Sequence, residues 1–441
     1  MSGSPFETAS RCRRLARRVR IAVRAPSLGR APWAVLAAAL SSVGNLLLSL
    51  TIARLAPIDD LGRFALAFSL YVLATGLCRA MVTDAVLAAS VGAADASSRV
   101  VLVGVGCAVP VLIGGLLDGS GYLVLTAVAL PGLLLHEHCR VVGVGLDHPR
   151  PPCQREAAWT GVTALAAVLG LVGVLDPVTV YAVWAGAGAL SGYATALLVG
   201  DTVRPAWRLD RPGTRASVSY GLQFLVTAGS AQLALTAVAV VVGVAVVGAL
   251  GAGRTLLGPA ALLVGSATAL VLPRLAAARA TSASIRRRSA VWAAVALLAV
   301  TAPAGLVALL LPDDVGRTVL GDNWRHAEEL LALLAVEVIA AGAAMVAFAG
   351  HRVEGAARRT LLIGAALGAV RIPAVTVGAM LRGATGAAVA LALMGLLSMV
   401  TWWVSYLDLL RVDGRQADRS GIRAGGGGAP AMSAARVTGD S

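Results

Sequence analysis

Two charged side chains lie deep inside apolar segments, where an ionic group is rare. Arg371 stands within Val370–Pro373, and Glu337 stands within Ala335–Val338. A charge inside a membrane span is costly and usually faces a helix-bundle interior or a water-filled cavity. We expect Arg371 either to contact a substrate phosphate or to form a structural ion pair with Glu337. Glu337 is accordingly either a structural partner or a coupling residue that exchanges a proton.

Three further arginines, Arg54, Arg63 and Arg254, flank the predicted outer ends of apolar segments. The planar guanidinium group donates paired hydrogen bonds to phosphate, which makes all three candidate substrate contacts. The alternative interpretation is that their side chains extend to the membrane interface and bind nothing.

Uncharged polar residues also interrupt the apolar segments, and three of them are candidates for the lining of a cavity. Asn45 lies in the first segment, and Gln223 and Gln232 lie in the seventh. Amide side chains in this position either bind sugar hydroxyls or form hydrogen bonds between helices. Both interpretations stay open at this stage.

A metal or nucleotide cofactor is not predicted. His136 and His138 stand two residues apart, so on a helix they point to different faces and cannot converge on one ion. A P-loop needs a lysine, and the chain contains none. An ATP-driven motor within this chain is therefore excluded, which leaves transport driven by a gradient or passive flipping.

The amino-acid composition predicts the kind of secondary structure that positions these residues. Of 441 residues, 58% are hydrophobic and only 14% are charged, and the mean hydropathy is +0.80. Soluble domains are about 45–50% apolar and about 25% charged. The composition excludes a soluble enzyme or a nucleic-acid-binding domain as the main body. It predicts an all-α polytopic membrane protein.

Twelve apolar runs are each about long enough to cross a bilayer. The least certain division is in Tyr220–Leu250, which is too long for one span and which we divide near Val241–Val247. The twelve predicted spans cover 32–53, 64–83, 100–117, 121–138, 157–175, 178–199, 218–240, 246–272, 290–311, 328–349, 360–380 and 385–407.

The distribution of arginine predicts the orientation. All 37 basic residues are arginine; thirty of them lie in the N-terminal tail, the C-terminal tail and the loops after even-numbered spans. This asymmetry predicts that both termini are cytoplasmic, so we call the opposite side the outer face. One further arginine is Arg371, and the other six fall in the alternate loops: Arg54, Arg63, Arg254, Arg317, Arg325 and Arg382.

The spans divide into two halves of six. We predict a basic cytoplasmic tail (1–31), a first six-helix bundle (32–199), a cytoplasmic linker (200–217), a second six-helix bundle (218–409) and a disordered tail (410–441). Gly62 and Gly248 each follow the first span of a half, which indicates an internal duplication. An even number of spans in each half makes the two repeats parallel, and substrate sites in such proteins lie between repeats.

Five segments in a fixed order carry a resemblance to a known family: Ser41–Leu48, Ile52–Pro57, Leu61–Ala67, Leu320–Ala327 and Arg382–Ala390. Together they resemble the polysaccharide flippases, bacterial exporters of lipid-linked oligosaccharides. Their superfamily also contains the multidrug and toxic compound extrusion proteins and the peptidoglycan-precursor flippase.

The resemblance implies about 12 transmembrane helices in two six-helix bundles around a V-shaped central cavity that opens alternately to each side. It implies that cationic residues in the cavity hold the pyrophosphate of a polyprenyl carrier while the lipid tails stay in the bilayer. The implied partners are a polyprenyl-pyrophosphate-linked glycan, membrane lipids and glycan-assembly enzymes. The implied location is the bacterial cytoplasmic membrane. One departure is that Leu233–Val247 lacks the acidic residue often found in span 7 of the family.

Two other functions stay open. A cation-coupled multidrug exporter of the same superfamily favours carboxylates and aromatic residues in its cavity, whereas this chain has 4% aromatic residues and arginines at the span ends. A membrane-embedded glycan polymerase or ligase needs an acid/base pair on the outer face. The adjacent outer carboxylates are Asp59 with Asp60 and Asp313 with Asp314.

Overall fold

The protein is described by a computed structural model that covers residues 31–87, 95–146, 148–206, 214–279 and 281–425. This part of the chain is almost entirely helical, and no strand occurs within these ranges. The helices are named α1 to α12 in the order of the predicted spans, with the letters a and b where a helix is broken.

The first half contains α1 to α6. After α2 the helix continues through a π-helical turn, Arg79–Thr83, and a short helix, Asp84–Leu87. The bounds are Ala31–Leu55 for α1, Ile58–Cys78 for α2, Ala96–Asp118 for α3, Gly121–Gly145 for α4, Arg150–Leu171 for α5 and Pro177–Val199 for α6.

The second half contains α7 to α12. Helices α11 and α12 form one continuous element, Ala357–Gly425, which is bent at Arg382 and Gly383 by non-helical backbone angles. The other bounds are Thr214–Val226 for α7a, Ser230–Val241 for α7b, Val244–Leu256 for α8a, Gly258–Ala278 for α8b, Ala283–Leu309 for α9 and Trp324–Val353 for α10.

Every predicted span coincides with one of these helices, so the all-helical membrane fold is confirmed. The division within Tyr220–Leu250 is also confirmed, because α7b ends at Val241 and α8a begins at Val244. Gly243 joins them with a φ of 127°, a value that favours glycine. Eight helices of the described ranges are long and apolar enough to cross a membrane, and the bent α7 pair adds a ninth.

The predicted tails have different outcomes. Residues 1–30 and 426–441 lie outside the described ranges, as does 207–213 of the predicted linker. The last helix runs on to Gly425, so residues 410–425 of the predicted disordered tail are helical instead. The apolar pattern ends near residue 410, but a helix that has already formed is extended by polar residues at little cost.

The two six-helix bundles meet where α2 crosses α8a, at Gly62 and Gly248. A Cβ on Gly62 would overlap the Val244 carbonyl oxygen, and a Cβ on Gly248 would overlap the Ile58 carbonyl oxygen. Small residues allow helix backbones to approach closely inside a membrane, where packing replaces the hydrophobic effect. The two glycines therefore set the distance between the bundles near their predicted outer ends.

A second contact between the bundles comes from the segment between α9 and α10. It contains a short helix, Asp313–Leu320, and a 3₁₀ turn that ends at Asn323. The buried Asn323 amide nitrogen donates to the carbonyl oxygens of Ala53 and Ala56, each at 2.8 Å. These carbonyls lie at the C-terminal end of α1, where helical partners are missing. The second bundle thus caps a helix of the first.

We expect Gly62→Ala to weaken the contact between the bundles, because the new methyl group overlaps backbone atoms that cannot rotate away. Overpacking of this kind costs about 1–3 kcal/mol. The measurement is the thermal unfolding midpoint of the detergent-purified protein. The matched control is Gly161→Ala on α5, where a Cβ meets no atom within 4 Å. An equal effect of the two substitutions would contradict the assignment of Gly62 to the bundle contact.

Candidate functional site

A cavity of about 420 Å³ lies between the two bundles. Because Asn45 and Gln232 both line it, this central cavity brings together two of the three predicted amide residues. Hydroxyl groups from α1, α2 and α8a add further hydrogen-bonding capacity, and Phe64 and Phe68 contribute aromatic faces. The polar lining residues are Ser42, Asn45, Ser49, Ser69, Gln232, Arg254 and Thr255.

Arg254 is the only charged side chain among the described residues that line the central cavity. We counted Arg254 among the arginines of the outer loops, although it falls within the predicted span 246–272. The outer-loop assignment is wrong, because Arg254 is in the last turn of α8a. Ten residues of helix separate it from Val244, which is about 15 Å along the helix axis. The sequence pattern misplaced it because the apolar run is interrupted there by a single charge.

The partner of Arg254 is Glu337 of α10. The Arg254 Nη2 atom donates to both Glu337 carboxylate oxygens, at 2.8 and 3.0 Å. Their side chains are 28% and 19% exposed, so the pair is half-buried. Charged pairs inside a membrane-spanning bundle neutralise each other and avoid contact with lipid. The charge of Arg254 is therefore compensated by Glu337.

A second cavity, of about 410 Å³, lies inside the second bundle. We call it the C-bundle cavity. It is enclosed by α7, α10, α11 and α12, and Glu337 and Arg371 both line it. Arg254 lines the central cavity and Glu337 lines the C-bundle cavity, so the ion pair between them forms the wall that separates the two spaces.

The expected ion pair between Arg371 and Glu337 is not formed. Arg371 instead donates a hydrogen bond of 3.3 Å from its Nη2 atom to the Ser398 hydroxyl on α12. Glu337 is taken by Arg254, which lies 83 positions away in the chain. We expected Arg371 to pair with Glu337 because α11 follows α10 in the sequence. In the structure, α8a also packs against α10, and its Arg254 reaches Glu337.

The remaining predicted site residues lie outside both cavities. Arg63 is at the predicted outer end of α2 and forms ion pairs with Asp60 at 2.9 Å and Asp118 at 3.1 Å. Arg54 is exposed in the last turn of α1. Gln223 is half-buried in α7a, and neither cavity includes it. Asn45, Gln232 and Arg254 therefore line one cavity, whereas Arg63, Arg54 and Gln223 line neither.

A buried polar cluster in the first bundle was not predicted. The Glu156 carboxylate on α5 is fully buried, with His136 Nε2 at 2.8 Å and Arg140 Nε at 3.3 Å from its Oε1 atom. Arg140 also pairs with Glu137, one turn earlier on α4. We assigned Arg140 and Glu156 to the loop after span 4. The overlooked signal was the spacing of Glu137 and Arg140 at i and i+3, which is typical of a helix.

The two histidines of α4 do point to different neighbours, as their spacing predicts. His136 contacts Ser191 of α6 through its Nδ1 atom at 3.1 Å, while His138 Nδ1 lies 2.9 Å from the Thr83 hydroxyl. Within the described ranges, no group of three or more His, Cys, Asp or Glu side chains could hold a metal ion.

One carboxylate of each outer pair considered for a polymerase or ligase has a structural partner. Asp60 pairs with Arg63, as described above. Asp313 accepts a hydrogen bond from the indole nitrogen of Trp324 at 3.2 Å and lies in the first turn of the short helix before α10. An acidic residue in this position stabilises the N-terminus of a helix.

We expect the Arg254–Glu337 pair to show strong energetic coupling. Arg254→Gln and Glu337→Gln should each destabilise the protein, while the double substitution should cost less than the sum by about 1–3 kcal/mol. The free energy of unfolding in detergent micelles measures this double-mutant cycle. The control is the same cycle with Arg371→Gln in place of Arg254→Gln. A larger coupling in the control cycle would contradict the pairing described here.

We expect Glu156→Leu to destabilise the first bundle, because it leaves His136 without its acceptor and Arg140 with less negative charge nearby. Removing one partner from a buried charged cluster costs about 3–5 kcal/mol. Glu156→Gln keeps an acceptor for His136 and should cost less. The control is Glu328→Leu at an exposed position of α10. Thermal unfolding checks the order of the three variants, and a control as unstable as Glu156→Leu would refute it.

Comparison with known proteins identifies the fold. No protein-family model and no curated protein sequence matches the chain. Among solved structures, it is similar to the lipid II flippase MurJ in an inward closed conformation. The identity is 10%, the TM-score is 0.63, and the match covers 88% of this chain and 91% of that one.

Two multidrug transporters are also similar. An inward-facing MATE family transporter of the MOP superfamily has 14% identity and a TM-score of 0.58, with 86% of this chain and 99% of that one covered. A mutant of the Vibrio cholerae MATE transporter VcmN has 14% identity and a TM-score of 0.53, with 92% and 98% covered. The chain is thus a multi-pass, all-helical membrane protein with the two-bundle fold of MOP superfamily transporters.

Proposed function

We propose that this protein moves a polyprenyl-pyrophosphate-linked oligosaccharide across the bacterial cytoplasmic membrane by alternating access. The observation that carries the proposal is the central cavity, which combines neutral hydrogen-bonding side chains with one arginine and, among its described lining residues, no carboxylate. The chain shares its fold with transporters, but a fold does not determine a function, so the proposal rests on the residues of this cavity.

The neutral polar groups suit the sugar portion of such a substrate. Asn45 and Gln232 face the cavity from different bundles, one on α1 and the other on α7b. Amide groups donate and accept at once, as sugar hydroxyls do. A saccharide held by both residues would bridge the two bundles, so that binding is linked to their relative movement.

Arg254 suits the pyrophosphate. Its guanidinium group already engages a carboxylate, Glu337, with two close oxygen contacts. A phosphate presents the same planar pair of acceptor oxygens and carries more negative charge. We therefore expect the incoming pyrophosphate to compete with Glu337 for Arg254. This makes Arg254, rather than Arg371, the primary phosphate contact in the proposed mechanism.

The closed side of the cavity is the side predicted to be outer. The glycine contact between α2 and α8a and the Asn323 cap on α1 both lie there. Release of a substrate on that side requires these contacts to separate. The Gly62–Gly248 contact can open without breaking an ion pair, since it consists of closely packed backbone.

A cation-coupled multidrug exporter is the second candidate function. Two observations favour it: the MATE transporters share this fold, and Phe64 and Phe68 give the central cavity aromatic walls. Cationic drugs, however, need a carboxylate in the cavity. Glu337, the nearest one, is engaged by Arg254. The charge arrangement therefore favours an anionic substrate.

The proposed function is tested by following a fluorescent polyprenyl-pyrophosphate-linked oligosaccharide in proteoliposomes. The wild-type protein should move the lipid between leaflets, and Arg254→Gln should reduce the rate at least about tenfold, because the loss of a charged hydrogen bond weakens phosphate binding. The control is Arg382→Gln, an exposed arginine in the turn between α11 and α12. Normal movement by Arg254→Gln, or none by the wild type, would contradict the proposal.

The same vesicles separate the two candidate functions. An exporter of lipid-linked glycans should not accumulate a cationic dye under a proton or sodium gradient. Dye accumulation that is lost in Glu337→Gln, together with no lipid movement, would establish the multidrug exporter instead.

A further inference from the structure

The C-bundle cavity is separate from the proposed transport path and is built by four helices. Its wall on α11 is a stripe of residues at helical spacing, Gly364, Leu367, Gly368 and Arg371. The wall on α12 repeats the same spacing with Leu391, Gly395, Ser398 and Trp402. A cavity of about 410 Å³ with one arginine on its wall is large enough to hold a small ligand.

Arg371 has unused hydrogen-bonding capacity in this cavity. A guanidinium group has five N–H donors, and within the described ranges Arg371 makes one hydrogen bond, to Ser398. The Ser398 hydroxyl donates its own proton to the Met394 carbonyl oxygen at 2.7 Å, so it serves Arg371 as an acceptor only. The other donors of Arg371 have room for a partner.

The charges that line the two cavities do not sum to zero. Among the described lining residues, three side chains are ionic, Arg254, Arg371 and Glu337. Arg254 and Glu337 neutralise each other through their direct contact. Arg371 remains as one positive charge, and an uncompensated charge within a membrane protein is costly.

The break in α7 adds a further preference for negative charge. α7a and α7b are bent by 59° at the break, and Ser230 and Ala231 in the first turn of α7b line the cavity. The first turn of a helix carries unpaired N–H groups and a partial positive charge, which favour an anion. This positive end and Arg371 border the same space.

We propose that the C-bundle cavity binds one monovalent inorganic anion, such as chloride, through Arg371. One such ion neutralises the single positive charge and accepts hydrogen bonds from the free guanidinium N–H groups. A phosphate dianion would leave the cavity with an excess of negative charge. The site is distinct from the phosphate contact at Arg254, because the Arg254–Glu337 pair lies between the two cavities.

An anion bound at Arg371 also affects the Arg254–Glu337 pair, which forms the wall between the two cavities. Glu337 lines the C-bundle cavity, so an anion at Arg371 repels its carboxylate. This repulsion keeps Glu337 paired with Arg254, so the wall between the two cavities stays intact. Without the anion, Arg371 is the alternative partner for Glu337, and Arg254 becomes available to a substrate phosphate. Occupancy of the anion site thereby controls whether Arg254 is available to a substrate in the central cavity.

The test is a chloride titration of the purified protein in detergent, with gluconate replacing chloride at constant ionic strength. Thermal unfolding is measured, which needs neither substrate nor transport. We expect chloride to raise the unfolding midpoint by a few degrees in a saturable way, because a ligand that binds only the folded state stabilises it. Bromide should act in the same way.

The variants assign the effect to the cavity. Arg371→Gln should abolish the chloride response, Arg371→Lys should retain a weaker one, and the exposed Arg382→Gln should respond as the wild type does. If Arg371→Gln does not fold, Arg371→Lys decides instead: its chloride response should be weaker than that of the wild type and of Ser398→Ala, which keeps the guanidinium group.

Three outcomes would overturn the proposal. They are a wild-type midpoint that ignores chloride, an undiminished response in Arg371→Gln, and stabilisation by polyprenyl phosphate but not by chloride that depends on Arg371. The third would assign Arg371 to the transported lipid. Failure of the transport experiment leaves the chloride result unaffected, so the two proposals are tested separately.

Discussion

The close approach of Gly62 and Gly248 determines how the two bundles of this protein are arranged. Because neither residue has a side chain, the backbones of α2 and α8a touch directly, and any Cβ there would overlap a carbonyl oxygen. Arg254 lies six residues beyond Gly248 on the same helix, about 9 Å further into the membrane. The contact that joins the bundles therefore also fixes the depth at which the arginine meets Glu337.

Two clusters of ionic side chains in the described part of the chain lie in different bundles. In the second bundle, Arg254 and Glu337 form the wall between the central cavity and the C-bundle cavity. In the first bundle, Glu156 and Arg140 form a buried cluster with His136 and Glu137, away from either cavity. The first cluster is half-exposed to spaces that can hold ligands. The second joins α4 to α5 and has the character of a structural core.

Both halves repeat one polar contact. His136 of α4 meets Ser191 of α6, and His351 of α10 meets Ser405 of α12 at 3.0 Å, so the fourth and sixth helices of each half are joined in the same way. The glycines at the bundle contact also occupy matching places, each in the second helix of its half. In the second bundle, Arg371 lines a cavity enclosed by α7, α10, α11 and α12.

The apolar pattern predicted twelve helical spans and the division between α7 and α8, because apolar length acts locally. Gly62 and Gly248 were predicted only as a sign of duplication, and their close contact emerged from the packing of α2 against α8a. The sequence also identified Arg371, Glu337, Asn45 and Gln232 as residues that face an interior, since charge and amide groups avoid lipid wherever the helices pack. The partners of these side chains depend on how the helices pack. Arg254 reaches Glu337 and Glu156 reaches His136 because particular helices are neighbours and turn particular faces together, and a periodic apolar pattern contains no information about which helix lies alongside.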